Sequence, residues 1–187
     1  MKHGIWLLLG LVFSVSARAD PPDSRADALE LVRLVGLDEV MAIVTNTKSK
    51  RDFDAGKLDA AQFKCTATFE PAQFSEDLVG LVVTVLSARQ RDDALYFYRS
   101  DAGRALSAHE LAGIKAKHNL TGKPVPELVP LTDDQNEEIQ AFGRTNTGRK
   151  LIETGVLILT PETQAIMDKH MRAARQRCGS PPANKGR

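Results

Sequence analysis

The chain has 187 residues, of which 42% are hydrophobic and 26% are charged, and its formal net charge is +1. This length and apolar content are sufficient for one globular domain with a buried core. A nearly neutral chain without a basic block gives no electrostatic reason to expect a nucleic acid or an anionic membrane surface as partner.

The first residues have the pattern of a secretory signal peptide. Lys2 and His3 form a short basic start, residues 5–15 form an apolar run, and Ala17 to Ala19 form a small-x-small cleavage site. The run is too short for a membrane span, and no later segment approaches the roughly 18 uninterrupted apolar residues that a spanning helix needs. We therefore predict a signal peptide over residues 1–19 and a periplasmic or secreted mature chain without a transmembrane segment. An apolar N-terminal helix retained in the fold is the alternative.

Two amphipathic helices are predicted at the start of the mature chain. Ser24 precedes apolar residues spaced as i, i+3, i+4 and i+7, and Gly36 ends this first helix. Asp38 is the predicted N-cap of the second helix. The polar stretch from Thr45 to Lys57 predicts a fraying helix end followed by a loop.

Capping signals next predict a short helix, and an apolar run predicts a buried one. Asp59 and Gln62 have the spacing of a capping box, and Pro71 suits a first helical position. Residues 78–86 are almost wholly apolar, and we expect them to form the central buried helix. The valines in this run would also fit a strand, but the sequence has no comparable second run with which that strand could pair.

A helix–corner–helix pattern then occurs twice, over residues 86–107 and 131–152, at a fixed offset and without a gap. Each copy begins with a capping box, and a second hydroxyl residue can cap the helix after the corner. Such self-similarity indicates one supersecondary unit used twice. The matching residues of the first copy are Leu86, Ser87, Gln90, Asp92, Asp93, Phe97, Arg99, Ser100, Asp101, Gly103, Arg104 and Leu106. Their counterparts in the second copy are Leu131, Thr132, Gln135, Glu137, Glu138, Phe142, Arg144, Thr145, Asn146, Gly148, Arg149 and Leu151.

A glycine follows each corner cap by three positions, Gly103 after Ser100 and Gly148 after Thr145. Glycine inside a helix costs about 1 kcal/mol of helix propensity. Its presence in both copies therefore indicates either close approach by a neighbouring backbone or room for a bound ligand.

Arg104 and Arg149 are the candidate contact residues of the two corners. Each lies in the first turn of a predicted helix, where a positive charge is mildly unfavourable. A salt bridge to the acids of the preceding helix would compensate for this placement. Recognition of an anion or a partner at two equivalent corners is the functional alternative.

A connector and a last helix complete the predicted elements. Gly122 and three nearby prolines indicate an extended surface connector between the copies. Thr160 to Glu162 combine a cap, a proline and an early acid, which is a strong helix start. The apolar face of this helix continues to Cys178, and residues 179–187 have the composition of a disordered tail.

Both cysteines, Cys65 and Cys178, lie in the predicted mature chain. Export places them in an oxidising compartment, where an even number of cysteines indicates disulfide bonding. We therefore predict one Cys65–Cys178 disulfide, with two unpaired buried thiols as the alternative. No histidine adjoins either cysteine in the sequence, which argues against a catalytic thiol.

The first corner resembles the signature of a known family. Residues 97–106 read Phe-Tyr-Arg-Ser-Asp-Ala-Gly-Arg-Ala-Leu, which is similar to the Phe-Tyr-Lys-Ser-Pro-x-Gly-x-Lys-Leu signature of exported bacterial helical proteins catalogued as a domain of unknown function. Asp101 stands where that family commonly has proline, and both residues suit a first helical position. Residues 29–41 are also similar to the family's opening segment. The resemblance implies an all-helical fold in the bacterial periplasm or outside the cell and carries over no catalytic residue.

Patterns that would indicate catalysis or metal binding are weak. His109 and Glu110 begin like a His-Glu-x-x-His zinc motif, but Gly113 stands in place of the second histidine. His118 and His170 could join His109 only through tertiary folding. The Gly-x-Ser-x-Gly motif of hydrolases is absent, and adjacent carboxylates on a helix point about 100° apart. We therefore predict no catalytic, metal-binding or cofactor-binding residue and no cofactor.

Together these patterns predict a single all-α domain over residues 20–178, with about eight short helices, an internal helix–corner–helix repeat and one disulfide. They favour a non-enzymatic envelope protein that binds a protein or a small ligand. An envelope hydrolase or metal-dependent enzyme built from His109, His118, His170 and acids is one alternative. An apolar small-molecule carrier with a groove between the two copies is another.

Overall fold

The computed structural model describes residues 22–119, 128–153, 155, 157–158 and 160–179. These residues form nine α-helices, one 3-10 turn and one π-helix, and they include no β-strand. The predicted all-α class is confirmed. The helices are α1 (Pro22–Val35), α2 (Leu37–Asp54), α3 (Ala60–Thr66), α4 (Ser75–Val85), α5 (Ala88–Tyr98), α6 (Asp101–Lys117), α7 (Asp133–Gly143), α8 (Asn146–Gly148) and α9 (Pro161–Arg177). The 3-10 turn Pro71–Gln73 precedes α4, and the π-helix Arg149–Glu153 follows α8 directly.

Some of the predicted segments lie outside the described residues. These are the signal peptide over residues 1–19, most of the connector between the copies, and residues 180–187 of the predicted tail. None of the described helices combines the length and the apolar content that crossing a bilayer requires.

The centre of the core is formed by α1, α4 and α5, with α1 packed against both of the others. Leu31 of α1 and Leu78 and Val82 of α4 are completely buried. The apolar run at residues 78–86 therefore forms the central buried helix that the sequence predicts. Burial of such aliphatic side chains contributes about 1.5–3 kcal/mol each, which makes this contact the main stabilising element of the fold.

The second helix is longer than its sequence suggests. α2 continues to Asp54, so the predicted fraying end and loop from Thr45 onward is wrong for most of its length. Thr45 and Ser49 are fully buried; Thr45 Oγ1 donates a 2.6 Å hydrogen bond to the Met41 carbonyl, and Ser49 Oγ donates a 3.2 Å bond to the Thr66 carbonyl. Since both hydroxyls find acceptors inside the protein, a polar helix face can be buried at little cost.

The junction of α1 and α2 depends on Gly36, which has a φ of 70°. This left-handed backbone is accessible to glycine without a steric penalty. Asp38 lies in the first turn of α2 and accepts a 2.9 Å hydrogen bond from the Glu39 amide, so the predicted Asp38 cap is wrong. The chain turns here because of the glycine rather than a capping side chain.

The disulfide predicted between Cys65 and Cys178 is present, with a Cα–Cα distance of 5.9 Å. It joins α3 to the residue that ends α9. Phe53 of α2 stacks on Phe63 of α3 with ring centroids 4.8 Å apart. The bond and the stack therefore hold α3 between α2 and α9.

Candidate functional site

Two tight helix corners position the candidate site. At the first, Ser100 Oγ accepts a 3.2 Å hydrogen bond from the Gly103 amide. At the second, Thr145 Oγ1 accepts a 2.9 Å bond from the Gly148 amide. The segments that follow the two corners differ. The first corner leads into the 17-residue α6, and the second leads into the three-residue α8 and the π-helix.

The helices that enter these corners begin with the capping boxes that the sequence predicts. Ser87 and Gln90 cap α5, and Thr132 and Gln135 cap α7, with each pair exchanging two side-chain to backbone hydrogen bonds. Each box satisfies two amide groups that would otherwise lack a partner at the helix start. Matching residues of segments 86–107 and 131–152 thus cap their helices in the same way.

The glycines after the corner caps lie against the preceding helix. A Cβ atom added to Gly103 would lie 2.6 Å from Tyr98 Cα, and one added to Gly148 would lie 2.9 Å from Gly143 Cα. Both distances are shorter than carbon atoms tolerate without displacement. Close approach of backbone, rather than room for a ligand, therefore explains both glycines.

An aromatic stack connects the two corners. Phe97 of α5 and Phe142 of α7 are parallel within 6°, with ring centroids 3.9 Å apart. Tyr98 meets Phe142 edge-on at 6.1 Å. Phe97 and Phe142 occupy equivalent positions in the two copies and are both buried, so the last turns of α5 and α7 are held side by side.

A surface trough runs beside this stack, and we call it the corner trough. Its larger part, of about 1150 Å³, lies between α5 and the α7–α8 corner. A smaller part of about 560 Å³ continues toward α1. Asp92, Tyr96 and Glu138 line both parts and form the waist between them. The larger part is also lined by Ser87, Arg89, Gln90, Asp93, Phe97, Ala141, Phe142, Thr145, Asn146 and Thr147, and the smaller part by Asp27, Leu95, Arg99 and Ser100.

Four carboxylates line the corner trough: Asp27, Asp92, Asp93 and Glu138. In the part of the chain that the structure describes, none of the four forms an ion pair. Asp93 Oδ2 accepts a 3.0 Å hydrogen bond from Thr147 Oγ1, which is a neutral donor. The trough therefore has unneutralised negative charge.

Two arginines of the lining offset part of this charge. Arg99 donates two hydrogen bonds, of 2.8 and 2.7 Å, to the Glu30 carboxylate. This bond lowers the pKa of Glu30 and raises that of Arg99. Arg89 is exposed and, within the described ranges, has no acidic partner. Among the described lining residues, two arginines therefore stand against four carboxylates, and Arg99 is shared between Glu30, which it binds, and Asp27, with which it interacts through its charge.

Tyr96 provides an aromatic surface at the waist of the trough. Its side chain is 84% exposed, whereas the neighbouring Phe97 and Tyr98 are buried. Burial raises the pKa of Tyr98, and the nearby Glu110 carboxylate adds to this effect. Tyr96 and Asp92 are four residues apart on α5, so they lie on the same helix face.

The predicted contact arginines lie outside the described trough lining. Arg104 pairs with Asp101 of its own helix and donates to the Arg99 carbonyl at the end of α5. The predicted compensation is therefore present at this corner, but its acid belongs to α6 and not to the preceding helix. Arg149 is exposed and has no acidic partner among the described residues.

The histidines have separate surroundings. His109 Nδ1 lies 3.2 Å from the Val129 carbonyl oxygen, and His170 Nε2 lies 2.9 Å from Asp77 Oδ2. Burial, together with the charge of Arg51, lowers the pKa of His118. Over the described ranges, no three His, Cys, Asp or Glu side chains are arranged to hold a metal ion.

No family model, curated protein or solved structure matches this chain. The resemblance to the exported helical family is therefore an expectation based on the corner signature. Functional inference depends on the corner trough.

Sequence reasoning selected the corner arginines, offered an apolar groove between the two copies as one alternative, and missed the acidic lining of the trough. The usable signal was the repeated acid pair, because Asp93 and Glu138 are equivalent residues of the two copies and both line the trough. Acid pairs on a helix usually face solvent. A single sequence does not show that one acid from each pair lines the same cavity.

Proposed function

We propose that this protein is an exported, non-enzymatic helical binding module and that the corner trough is its binding surface. The observation that carries this proposal is the trough itself, where unpaired carboxylates surround an aromatic side chain that is 84% exposed. Exposed aromatic side chains are enriched at surfaces that recognise a partner.

Export is supported by the signal-peptide pattern of residues 1–19 and by the Cys65–Cys178 bond, since disulfides persist in oxidising compartments. The matching caps and glycines of residues 86–107 and 131–152 support a duplicated unit as the origin of the trough. The acidic lining disfavours an apolar carrier, because an apolar ligand would desolvate carboxylates without offering them partners.

Site-specific photo-crosslinking tests this proposal. A benzophenone amino acid replaces Tyr96 in one variant and Lys64, an exposed residue of α3, in a control variant. Both proteins are expressed in the envelope of the native cell, irradiated, and analysed by mass spectrometry. We expect a discrete adduct at position 96 and none at position 64.

Two results would count against a binding role for the trough. One is the absence of any adduct at position 96 together with an unliganded intact mass for protein purified from the envelope. The other is an equal yield of the same adducts from positions 96 and 64, which would indicate collisions rather than recognition.

A further inference from the structure

The charge of the corner trough, taken with the function proposed above, identifies the chemistry of its partner. We infer that the trough binds a protein segment that presents several arginine or lysine side chains. This inference rests on the proposed function and adds the class of partner.

Charge complementarity is the first reason. Asp92 and Glu138 come from different helices and both line the waist, and neither forms an ion pair among the described residues. A bound cation gains favourable Coulomb energy from carboxylates that line one cavity, whereas an anion is repelled by them.

The placement of the carboxylates favours a segment over a compact amine. Asp27 lies in the smaller part on the α1 side, Asp92 and Glu138 lie at the waist, and Asp93 lies in the larger part. An extended chain advances roughly 3.3 Å per residue and turns every second side chain to the same face. Such a chain can place successive cations along both parts of the trough, whereas a small cation occupies one of them.

Tyr96 offers a bound cation a second kind of contact, with an aromatic ring. Its exposed ring lies at the waist beside two carboxylates, so a guanidinium can stack on the ring while it donates hydrogen bonds to an acid. Arginine has the planar group that uses both contacts at once.

Fluorescence anisotropy with defined peptides tests this inference on the mature, oxidised protein. The probe is a labelled dodecapeptide of alternating arginine and serine. Matched peptides carry glutamine or glutamate in place of arginine, and spermine serves as the small polycation. At low ionic strength we expect the arginine peptide to bind about tenfold more tightly than the glutamine peptide, and we expect added salt to weaken its binding.

Paired variants locate the binding. Asp92→Asn combined with Glu138→Gln should weaken the arginine peptide about tenfold. Asp54→Asn removes a carboxylate from α2 on the surface and should leave binding unchanged. Tyr96→Ala should weaken binding by about threefold, and Tyr96→Phe, which keeps the ring, should restore it.

The remaining outcomes distinguish a cationic protein segment from other partners of the trough. Equal binding of the glutamine or glutamate peptide overturns the cationic partner but leaves a binding trough in place. Spermine affinity equal to that of the arginine peptide overturns the protein segment in favour of a small organic cation. Failure of all these probes together with an adduct at position 96 overturns this inference alone, and failure of both experiments overturns the proposed function as well.

Discussion

Gly103 and Gly148 show how a missing side chain fixes the angle between two helices. In each copy the cap hydroxyl starts a new helix immediately after the old one ends, so the third residue of the new helix lies against the previous turn. Only a residue without a Cβ atom fits there. The corner therefore depends on two residue types at fixed spacing, a hydroxyl and a glycine.

Replacement of Gly103 with alanine is expected to destabilise the protein. The new Cβ would lie 2.6 Å from Tyr98 Cα, and backbone atoms cannot rotate away as a flexible side chain can. We expect the free energy of unfolding to fall by about 1–3 kcal/mol, which is typical of overpacking. Urea denaturation followed by circular dichroism measures this difference.

Gly113→Ala is the matched control in the same helix. Nothing lies within 4 Å of a Cβ atom at this position. The alanine should raise stability by about 0.5–1 kcal/mol through helix propensity alone. If the two substitutions had the same effect, steric contact at the corner would not be the reason for Gly103.

At the scale of whole elements, the helix starts that carry a capping box were predicted correctly from the sequence. The caps at Asp59, Ser87, Thr132 and Thr160 are all present as capping boxes. A cap involves residues three apart, so its signal is contained in the local sequence. These predictions needed no knowledge of the tertiary structure.

Features that depend on tertiary contacts were less predictable from the sequence. The polar end of α2 remains helical because Ser49 donates to a carbonyl of α3 and Arg175 of α9 pairs with Asp52. Those partners are distant in sequence and leave no local signal. The corner trough is also assembled from four separate helices. In the sequence, its acidic residues look like ordinary solvent-exposed residues, so their common location could not be predicted.

Arg91 interacts with the end of the central helix α4. It is a buried cation, and its Nη1 donates a 2.7 Å hydrogen bond to the Leu86 carbonyl at the end of α4. Lys150 of the π-helix donates to the adjacent Val85 carbonyl. The last carbonyls of a helix have partial negative charge and lack intrahelical partners. The two cations therefore stabilise the end of the central helix.

The disulfide supports the packing of α3 and α9 over a long loop, with a sequence separation of 113 residues. Replacing both Cys65 and Cys178 with alanine should lower the free energy of unfolding by about 2–5 kcal/mol, because the unfolded chain gains conformational freedom. Urea denaturation of the two proteins measures this loss.

Reducing agent supplies the control for the disulfide. Dithiothreitol should lower the urea midpoint of the wild-type protein and leave that of the double variant unchanged. Identical midpoints for oxidised wild type and double variant would show that α3 and α9 are held by packing alone.

At the scale of the whole molecule, the fold has a dense centre and a more weakly attached edge. α4 contributes four buried residues to the core, whereas Phe142 is the only residue of α7 that is buried. Local stability follows buried apolar contact, so different parts of one protein open at different free energies. The side of the trough formed by α7 and α8 is therefore expected to open before the α1–α4–α5 centre.

Hydrogen exchange with residue resolution tests this arrangement through Phe142→Ala. Loss of a buried phenylalanine removes about 3–5 kcal/mol of stabilisation. Because its partner Phe97 lies on α5, this loss weakens the attachment of α7 to α5, while the packing of α7 against α6 remains. We expect amides of α7 to exchange at least about a hundredfold faster, with α4 amides changing much less.

Phe63→Ala provides the comparison, since Phe63 also belongs to a stacked pair but contacts Phe53 on α2. Its loss should accelerate exchange in α3 and leave α7 protected. Equal acceleration of α4 and α7 in Phe142→Ala would show that the whole chain unfolds as one unit. In that case the trough would be a rigid surface, and a partner would bind it without any opening of α7.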